Sequence, residues 1–498
     1  VRGEGGLTET SWNAAMATAT QLVGEAMGER GADGIAILGG ARGTNEDAFA
    51  WAKLVDALGI ARRDAQMGDG LPPAVLGLDR ATIDEAANAS TIVLLGPDLK
   101  EELPVLYLRL RDAAEKRRSR ILEFSPIESG LTRVAWKSVR YEPGGAARVI
   151  GATLAELDVA EQLAKGNVVV VAGRANLAES QESAVASLAA LLSGLPGAKV
   201  LPALRRGNVV GALELGLTAA AGGDEPDDGL SVLRAAAEGK LDLLVLLGAD
   251  PINDCPDADL ARRALAGARR LMSIDTFLNG SNAHADVVLA AAAYGEKSGT
   301  TTNLEGRVTT VAEKITPAGT ARPDWMIAAG LAIELGHDLG FGSVSDVTDA
   351  IAAAVPAYAG ITAAALATNR DGIVTTISPS ALPEVSATAR DRNTYDYRLA
   401  VSRKLYDNAV GTAQSHSLAA LAPGAAAHVH PLDFDQTGVA AGTDVRVISA
   451  RGSVVLPLVA NPAVPRGTVW APFNQNGVDI REIMDSTVPV TDVRIERL

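Results

Sequence analysis

The residues Gly295-Glu296-Lys297-Ser298-Gly299-Thr300-Thr301-Thr302-Asn303-Leu304-Glu305-Gly306-Arg307 form the richest polar cluster of the chain. Carboxylate, ammonium, hydroxyl, amide and guanidinium groups stand side by side, between glycines that let backbone come close. The cluster follows an apolar run, Asp286 to Ala293. Such a loop suits a large polar ligand with many hydrogen-bonding edges. It suits equally a long connection pinned by Glu and Arg pairs, and spacing alone leaves both open.

Other candidates are weaker. Gly39-Gly40-Ala41-Arg42-Gly43-Thr44-Asn45 precedes a helical pattern and could cradle a phosphate at a helix N-terminus. It does not fit G-x-G-x-x-G, no G-x-x-x-x-G-K-[ST] occurs, and a tight turn explains it as well. His428-Val429-His430 puts two imidazoles on one face of a possible strand, without Cys or carboxylates at metal-ligand spacing, and reads as a solvated or core pair. His284 reads as a structural histidine at a loop–strand junction. Cys255, between Asp254 and Pro256, is reactive only if exposed near a helix N-terminus and otherwise inert. Gly-x-Ser-x-Gly is absent, so no nucleophile elbow is present.

The elements that must position these residues follow one phrase. Leu241 to Leu247 is apolar except for Asp242 and stops at Gly248-Ala249-Asp250-Pro251. A helical pattern follows (Leu260, Ala264, Leu265, Ala268), then apolar runs at Leu271 to Ile274 and Asp286 to Ala293. This is the pattern of strands buried on both faces of a parallel sheet. Strand, Gly loop and helix recur at Gly39, Gly96, Gly173 and Gly248. The strands are read at 35–38, 91–95, 119–124 and 167–171, and the helices at 46–58, 104–117 and 179–192. The fold class is therefore α/β, Rossmann-like, in two lobes, with ligands expected where the strands end. An N-terminal helix is capped at Thr10 or Ser11. Residues 323–356 read as helical, and 356 to about 395 as loop and linker. After Tyr397, short strands at Val445–Val447, Ser453–Leu458 and Thr468–Trp470, without helices, predict a separate β-barrel.

At 498 residues the chain holds two or three domains. Aromatic residues are 4%, so the core is Ala, Val, Leu and Ile. A net charge of -15 argues against nucleic acid or an anionic membrane surface as partner. The one basic cluster, Lys116-Arg117-Arg118-Ser119-Arg120, ends a helix and complements its dipole. The single cysteine excludes an internal disulfide, and also an iron–sulfur cluster held by this chain, which takes about four Cys ligands. It fits a cytoplasmic compartment. No apolar run approaches the ~20 residues of a membrane span. The N-terminus has no signal-peptide shape and no Met, as expected of a piece of a longer chain.

The cluster from Glu296 to Arg307 resembles the E-K-x-G-T-x-x-N-x-E-G-R signature of molybdopterin-dinucleotide oxidoreductases. Gly40-Ala41-Arg42 with Thr44-Asn45-Glu46, Gly96 to Pro104, Arg206-Gly207-Asn208 with Gly211, Gly248 to Pro251, Asp275-Thr276-Phe277, Ala285 to Leu289 and His430 to Phe473 resemble the family's other phrases in order. The resemblance implies two interleaved Rossmann-like lobes of the molybdopterin oxidoreductase fold plus a C-terminal β-barrel of double-psi type. The expected division is 1–66 with 232–395, 67–231, and 396–498. Within the family, Arg403 to Asp407, Ser415 to Leu418 and Val490 to Arg494 look like the large peripheral-arm component of bacterial NADH-quinone oxidoreductase (respiratory complex I).

Two departures from the family pattern matter. Active members place Cys, selenocysteine or Ser as molybdenum ligand where this chain has Gln66, in Arg62 to Gly68, and an amide is a poor ligand for that centre. The Cys-rich N-terminal domains that carry iron–sulfur clusters in the complex I component have no counterpart here. The resemblance thus implies a structural, redox-inactive part of an assembly that passes electrons from NADH through FMN and iron–sulfur clusters to quinone, with proton translocation. This chain is expected to hold no cofactor, metal or catalytic residue. Gly40, Arg42, Asn45, Gln66, Gly96, Asp98, Gly248, Asp250, Glu296, Gly299, Thr300, Asn303, Glu305 and Arg307 are expected to line a vestigial cleft. The expected partners are other peripheral-arm subunits, with no nucleic acid and no direct membrane span, on the cytoplasmic side of the bacterial membrane. The alternatives are an active molybdenum oxidoreductase of the formate dehydrogenase or nitrate reductase kind, and a non-redox nucleotide-binding module.

Overall fold

The computed structural model describes residues 1–218, 228–385 and 397–498. They fall into two compact units, one of 1–68, 206–255 and 259–378, the other of 69–205, 256–258 and 379–498.

The first unit is built on a five-stranded parallel sheet. Its order is Val287–Ala290, Leu271–Asp275, Leu243–Leu247, Ile35–Gly39 and Arg63–Asp64. The three middle strands are buried at every residue, which is why they read as continuous apolar runs and not as alternation. Ser11 caps the helix Trp12–Glu29, its hydroxyl accepting the Ala14 N–H. A second, antiparallel sheet joins Gly299–Thr302, Arg307–Val311 and Ile373–Val374.

That last strand corrects the expected linker. Residues 356–385 contain a 3-10 turn at Pro356–Tyr358, a helix at Ala363–Thr368 capped by Thr362, and the strand Ile373–Val374. These pieces are too short to show a period. Tyr358 is 1% exposed and anchors them to the hairpin through Thr302. The remainder of the expected linker, 386–395, lies outside the described residues.

The second unit holds another five-stranded parallel sheet, in the order Lys137–Arg140, Arg120–Ser125, Thr91–Leu95, Val168–Gly173 and Lys199–Ala203. It also holds a closed six-stranded barrel, Tyr397–Ser402, Thr468–Pro472, Ala427–Val429, Ser453–Ala460, Asp444–Ile448 and Asp492–Arg497. Closure leaves no sheet edge to protect. Val429, Val445, Val447, Leu456, Leu458 and Val469 fill the barrel and are all fully buried.

The expectation of no helices here fails. Pro431–Thr437 is helical, with His430 as N-cap, Pro431 in the first turn and Gly438 closing it at φ 65°. So His428 and His430 do not share a strand face. The strand ends at Val429, and His430 Nδ1 accepts the Leu432 N–H. His428 lies 4.6 Å from the Trp470 ring, where burial and the Lys404 charge push it down to about 4. His284, read as a structural histidine at a loop–strand junction, is exposed in the turn Asn282–His284.

Candidate functional site

The first unit concentrates its polar residues where the parallel strands end, and the helix start Thr44–Asp47 is the centre of them. Thr44 and Asp47 form a capping box. Asp47 N donates to Thr44 Oγ1 at 3.2 Å, and Thr44 N donates to Asp47 Oδ2 at 2.9 Å. Asp47 Oδ1 takes the Trp325 N–H at 3.0 Å. The Lys297 ammonium, 4% exposed, sits 2.7 Å from Asp47 and 3.5 Å from Asp324. Burial depresses its pKa, but Asp324 and Asp47 outweigh that and hold it above the ordinary lysine value. Burial pushes Asp324 up to about 7 against the pull of Lys297.

Glu46 is wholly buried and accepts from Thr300 N at 2.7 Å, Thr300 Oγ1 at 2.9 Å and Thr348 Oγ1 at 2.8 Å. Burial raises its pKa and these bonds oppose the rise. Asn45 Nδ2 donates to Thr300 Oγ1 at 3.0 Å, and Asn45 Oδ1 accepts from Thr302 Oγ1 at 3.1 Å. Thr302 N donates to Asn208 at 2.8 Å. The first strand of the polar hairpin is thus bonded along the helix start.

This arrangement decides how the Gly39–Asn45 loop behaves. An anion at that helix N-terminus would meet two carboxylates and donors already taken by the capping box. Gly39 and Gly40 have φ of 111° and 95°, and a Cβ on Gly40 would collide with the Leu217 side chain. The glycines make a tight turn packed against protein.

The rest of the Glu296–Arg307 cluster is likewise turned inward. Glu296 accepts the Ala293 N–H at 2.8 Å. Asn303 Oδ1 accepts from Glu305 N at 3.1 Å and Arg307 N at 2.9 Å, and Gly306 turns the chain at φ 80°. Glu305 pairs with Arg307 at 2.6 Å. Of the two readings left open by spacing, this is the geometry of a pinned connection.

The next two loops repeat the pattern. Gly248 turns at φ 54° and donates to Ile274 O at 2.7 Å. Asp250, fully buried, accepts from Ser281 Oγ at 2.5 Å and Asn253 Nδ2 at 2.7 Å. Burial raises its pKa and these partners oppose the rise. Asp275 accepts from Thr276 N at 2.7 Å and Asn279 Nδ2 at 2.9 Å. Arg42 lies 2.7 Å and Arg206 3.6 Å from the same buried oxygen of Asp254.

Gln66 is 4% exposed, and its backbone N–H donates to Asp64 at 3.0 Å. The neighbouring helix Gly229–Ala237 starts so close that a Cβ on Gly229 would collide with Gln66 O. Asp64 also accepts the Gly229 N–H at 2.7 Å, and burial, aided by the Asp228 charge, pushes it up to about 7. Cys255 is 0% exposed in the apolar cluster with Leu260, Ala261 and Leu271. Among the described residues no three His, Cys, Asp or Glu side chains are grouped to hold a metal. At residue 66 the side chain is an amide, a poor ligand for a soft, high-valent metal centre.

In the second unit, Gly96 and Asp98 lie at the end of the strand Thr91–Leu95. Asp98 Oδ1 accepts from Lys100 N at 3.1 Å and Gly130 N at 3.0 Å, and burial raises its pKa. A group not recognised as a site from sequence lies in this unit too. Arg403, 1% exposed, sits 3.1 Å from Asp69, 3.5 Å from Asp407 and 3.9 Å above the Phe473 ring. Arg205 reaches Asp407 at 3.9 Å. The i,i+4 spacing of Arg403 and Asp407 was the available signal. Asp69 is distant in sequence and gave none.

A family model described as Molybdopterin oxidoreductase matches residues 1–334. The chain belongs to the molybdopterin oxidoreductase family. A second model, Molydopterin dinucleotide binding domain, matches 398–493, which is most of the barrel. NADPH-Fe(3+) oxidoreductase subunit alpha of Geobacter sulfurreducens is 26% identical over 98% of the chain and 67% of that protein. The G subunit of NADH-quinone oxidoreductase from Mycobacterium tuberculosis is 28% identical over 97% of the chain and 61% of that protein. The chain therefore spans about two thirds of the length of these relatives. Acetylene hydratase from Pelobacter acetylenicus shares the fold, with a TM-score of 0.67 and 13% identity, over 99% of this chain and 90% of that one.

Proposed function

We propose that this chain is a structural, redox-inactive part of the G subunit of an NADH-quinone oxidoreductase. In this reading it buttresses domains that carry iron–sulfur clusters and presents surface to other peripheral-arm subunits on the cytoplasmic side of the bacterial membrane. The whole assembly, not this chain, moves electrons from NADH through FMN and clusters to quinone and translocates protons. The likeness to the Mycobacterium tuberculosis protein over 97% of the chain supports the placement. Among the described residues no single helix is long and apolar enough to cross a membrane.

One observation carries the redox-inactive part of the reading. Gln66 is buried, at the position that the family resemblance matches to the molybdenum ligand, and Asp250, Asp275 and Asp254 at the strand ends are engaged by Ser281, Asn253, Asn279, Arg42 and Arg206. A site that must bind a dinucleotide keeps donors and acceptors unsatisfied until the ligand arrives. Here most of them are spent on one another, with Asn208 Nδ2 and Ser273 Oγ left buried without a hydrogen-bond partner.

Elemental analysis of the purified chain, with fluorescence of oxidised pterins released by acid, tests this. The expected result is neither molybdenum nor tungsten nor pterin at stoichiometric level. One equivalent of metal and pterin would overturn it in favour of an active oxidoreductase.

A further inference from the structure

The barrel has a cavity of about 740 Å³ at the end where Tyr397–Ser402 and Thr468–Pro472 begin and Asp492–Arg497 finishes. The opposite end of the same strands carries Arg403 and Phe473, whose N–H donates to Ser402 O at 2.9 Å. So this cavity lies at the other end of the barrel from the Arg403 group.

Two arginines face it, and each is fixed through its Nε. Arg466 Nε donates to Asp433 Oδ1 at 3.0 Å, and Arg497 Nε donates to Thr437 O at 2.5 Å. Asp433 is doubly engaged, since its other oxygen accepts the Gly467 N–H at 2.8 Å. It therefore holds Arg466 in place and has little left to offer a cation. Neither guanidinium has another partner for its terminal nitrogens among the described residues.

Gly438 makes the second placement feasible. It closes the helix Pro431–Thr437 at φ 65°, and a Cβ there would collide with Arg497 Nη2. The guanidinium thus lies against bare backbone. Gln436 adds an amide to the lining, and Val445 and Ile495 add an apolar wall.

Two pre-oriented guanidinium forks suit the paired oxygens of phosphate or carboxylate. The volume is that of a small-molecule pocket, about 300–1,000 Å³, and exceeds what a simple inorganic ion fills. We propose that this end of the barrel binds an organic anion bearing phosphate or clustered carboxylates, gripped by Arg466 and Arg497 with its body against Val445 and Ile495.

Isothermal titration of the whole chain tests this with AMP as the phosphate arm, citrate as the carboxylate arm and adenosine as the neutral control. Saturable binding by at least one anion, and none by adenosine, is expected. Arg497→Gln removes one fork without touching the Arg466–Asp433 pair, and its folding is checked by its melting curve. It should weaken binding roughly tenfold or more, as loss of a charge-assisted bond does. Arg111→Gln, on a distant exposed helix face, should leave binding unchanged. The arm that binds more tightly identifies the headgroup. No saturable binding by any anion, or binding undiminished in folded Arg497→Gln, overturns the proposal.

Discussion

Gly299 runs so close to Glu46 that a Cβ on the glycine would stand 2.5 Å from Glu46 Oε2 and 2.9 Å from Thr44 Cβ. The hairpin and the helix start are therefore one packed object. Neither neighbour can yield, because Thr44 holds the capping box and Glu46 holds three hydrogen bonds. Gly299→Ala should cost about 1–3 kcal/mol, the range for overpacking a tight site. Urea unfolding measures it, and an unchanged midpoint would show that this contact is slack.

Lys297 makes a sharper case, because its partners are buried with it. Lys297→Met leaves Asp47 and Asp324 facing each other without a cation. Breaking such a group by removing one member costs about 3–5 kcal/mol. Adding Asp324→Asn to Lys297→Met should restore part of the loss, since one uncompensated charge disappears. A double variant no more stable than the single one would mean that Lys297 acts through packing alone.

Asp64 gives a pH dependence of definite sign. Its folded pKa is about 7 against an ordinary 3.8, so between these values the folded state holds the extra proton. Its contribution is present at low pH and is lost as pH rises toward 7, by at most about 1.4 kcal/mol per pH unit. Asp64→Asn is neutral throughout. The stability difference, wild type minus Asp64→Asn, should therefore fall between pH 5 and pH 7.5, and a flat difference would sink the assignment.

The parallel sheets were legible in the sequence because their strands are buried on both faces. Thr91–Leu95 is buried at all positions, is apolar from Ile92 onward, and stops at Gly96, so its apolar run marks it in the sequence. Ala427–Val429 is three residues long and the helix Pro431–Thr437 is seven, too short for any period to register. The hairpin's polar richness was visible, but its use was not. Lys297 finds Asp47, and Thr300 finds Glu46, across some 250 residues, and no local spacing encodes that. Polar clusters that await a ligand and polar clusters that bond one another have the same composition.

That ambiguity can be tested at Gln66 itself. If only the missing ligand atom kept molybdenum away, Gln66→Cys would restore a thiolate donor and the protein should acquire metal in a host that makes the pterin cofactor. The structure argues for a different outcome. Arg42 and Arg206 would still be held by Asp254, Asp250 by Ser281 and Asn253, and the Thr44–Asp47 helix start would still present carboxylates where phosphate would have to sit. Each of those partnerships would have to break, and leaving even one buried polar group unpaired costs about 1–3 kcal/mol. Gln66→Cys, purified from such a host, should therefore carry no more molybdenum or pterin than the parent chain. Stoichiometric metal in the variant would mean that the cleft had lost only its ligand atom.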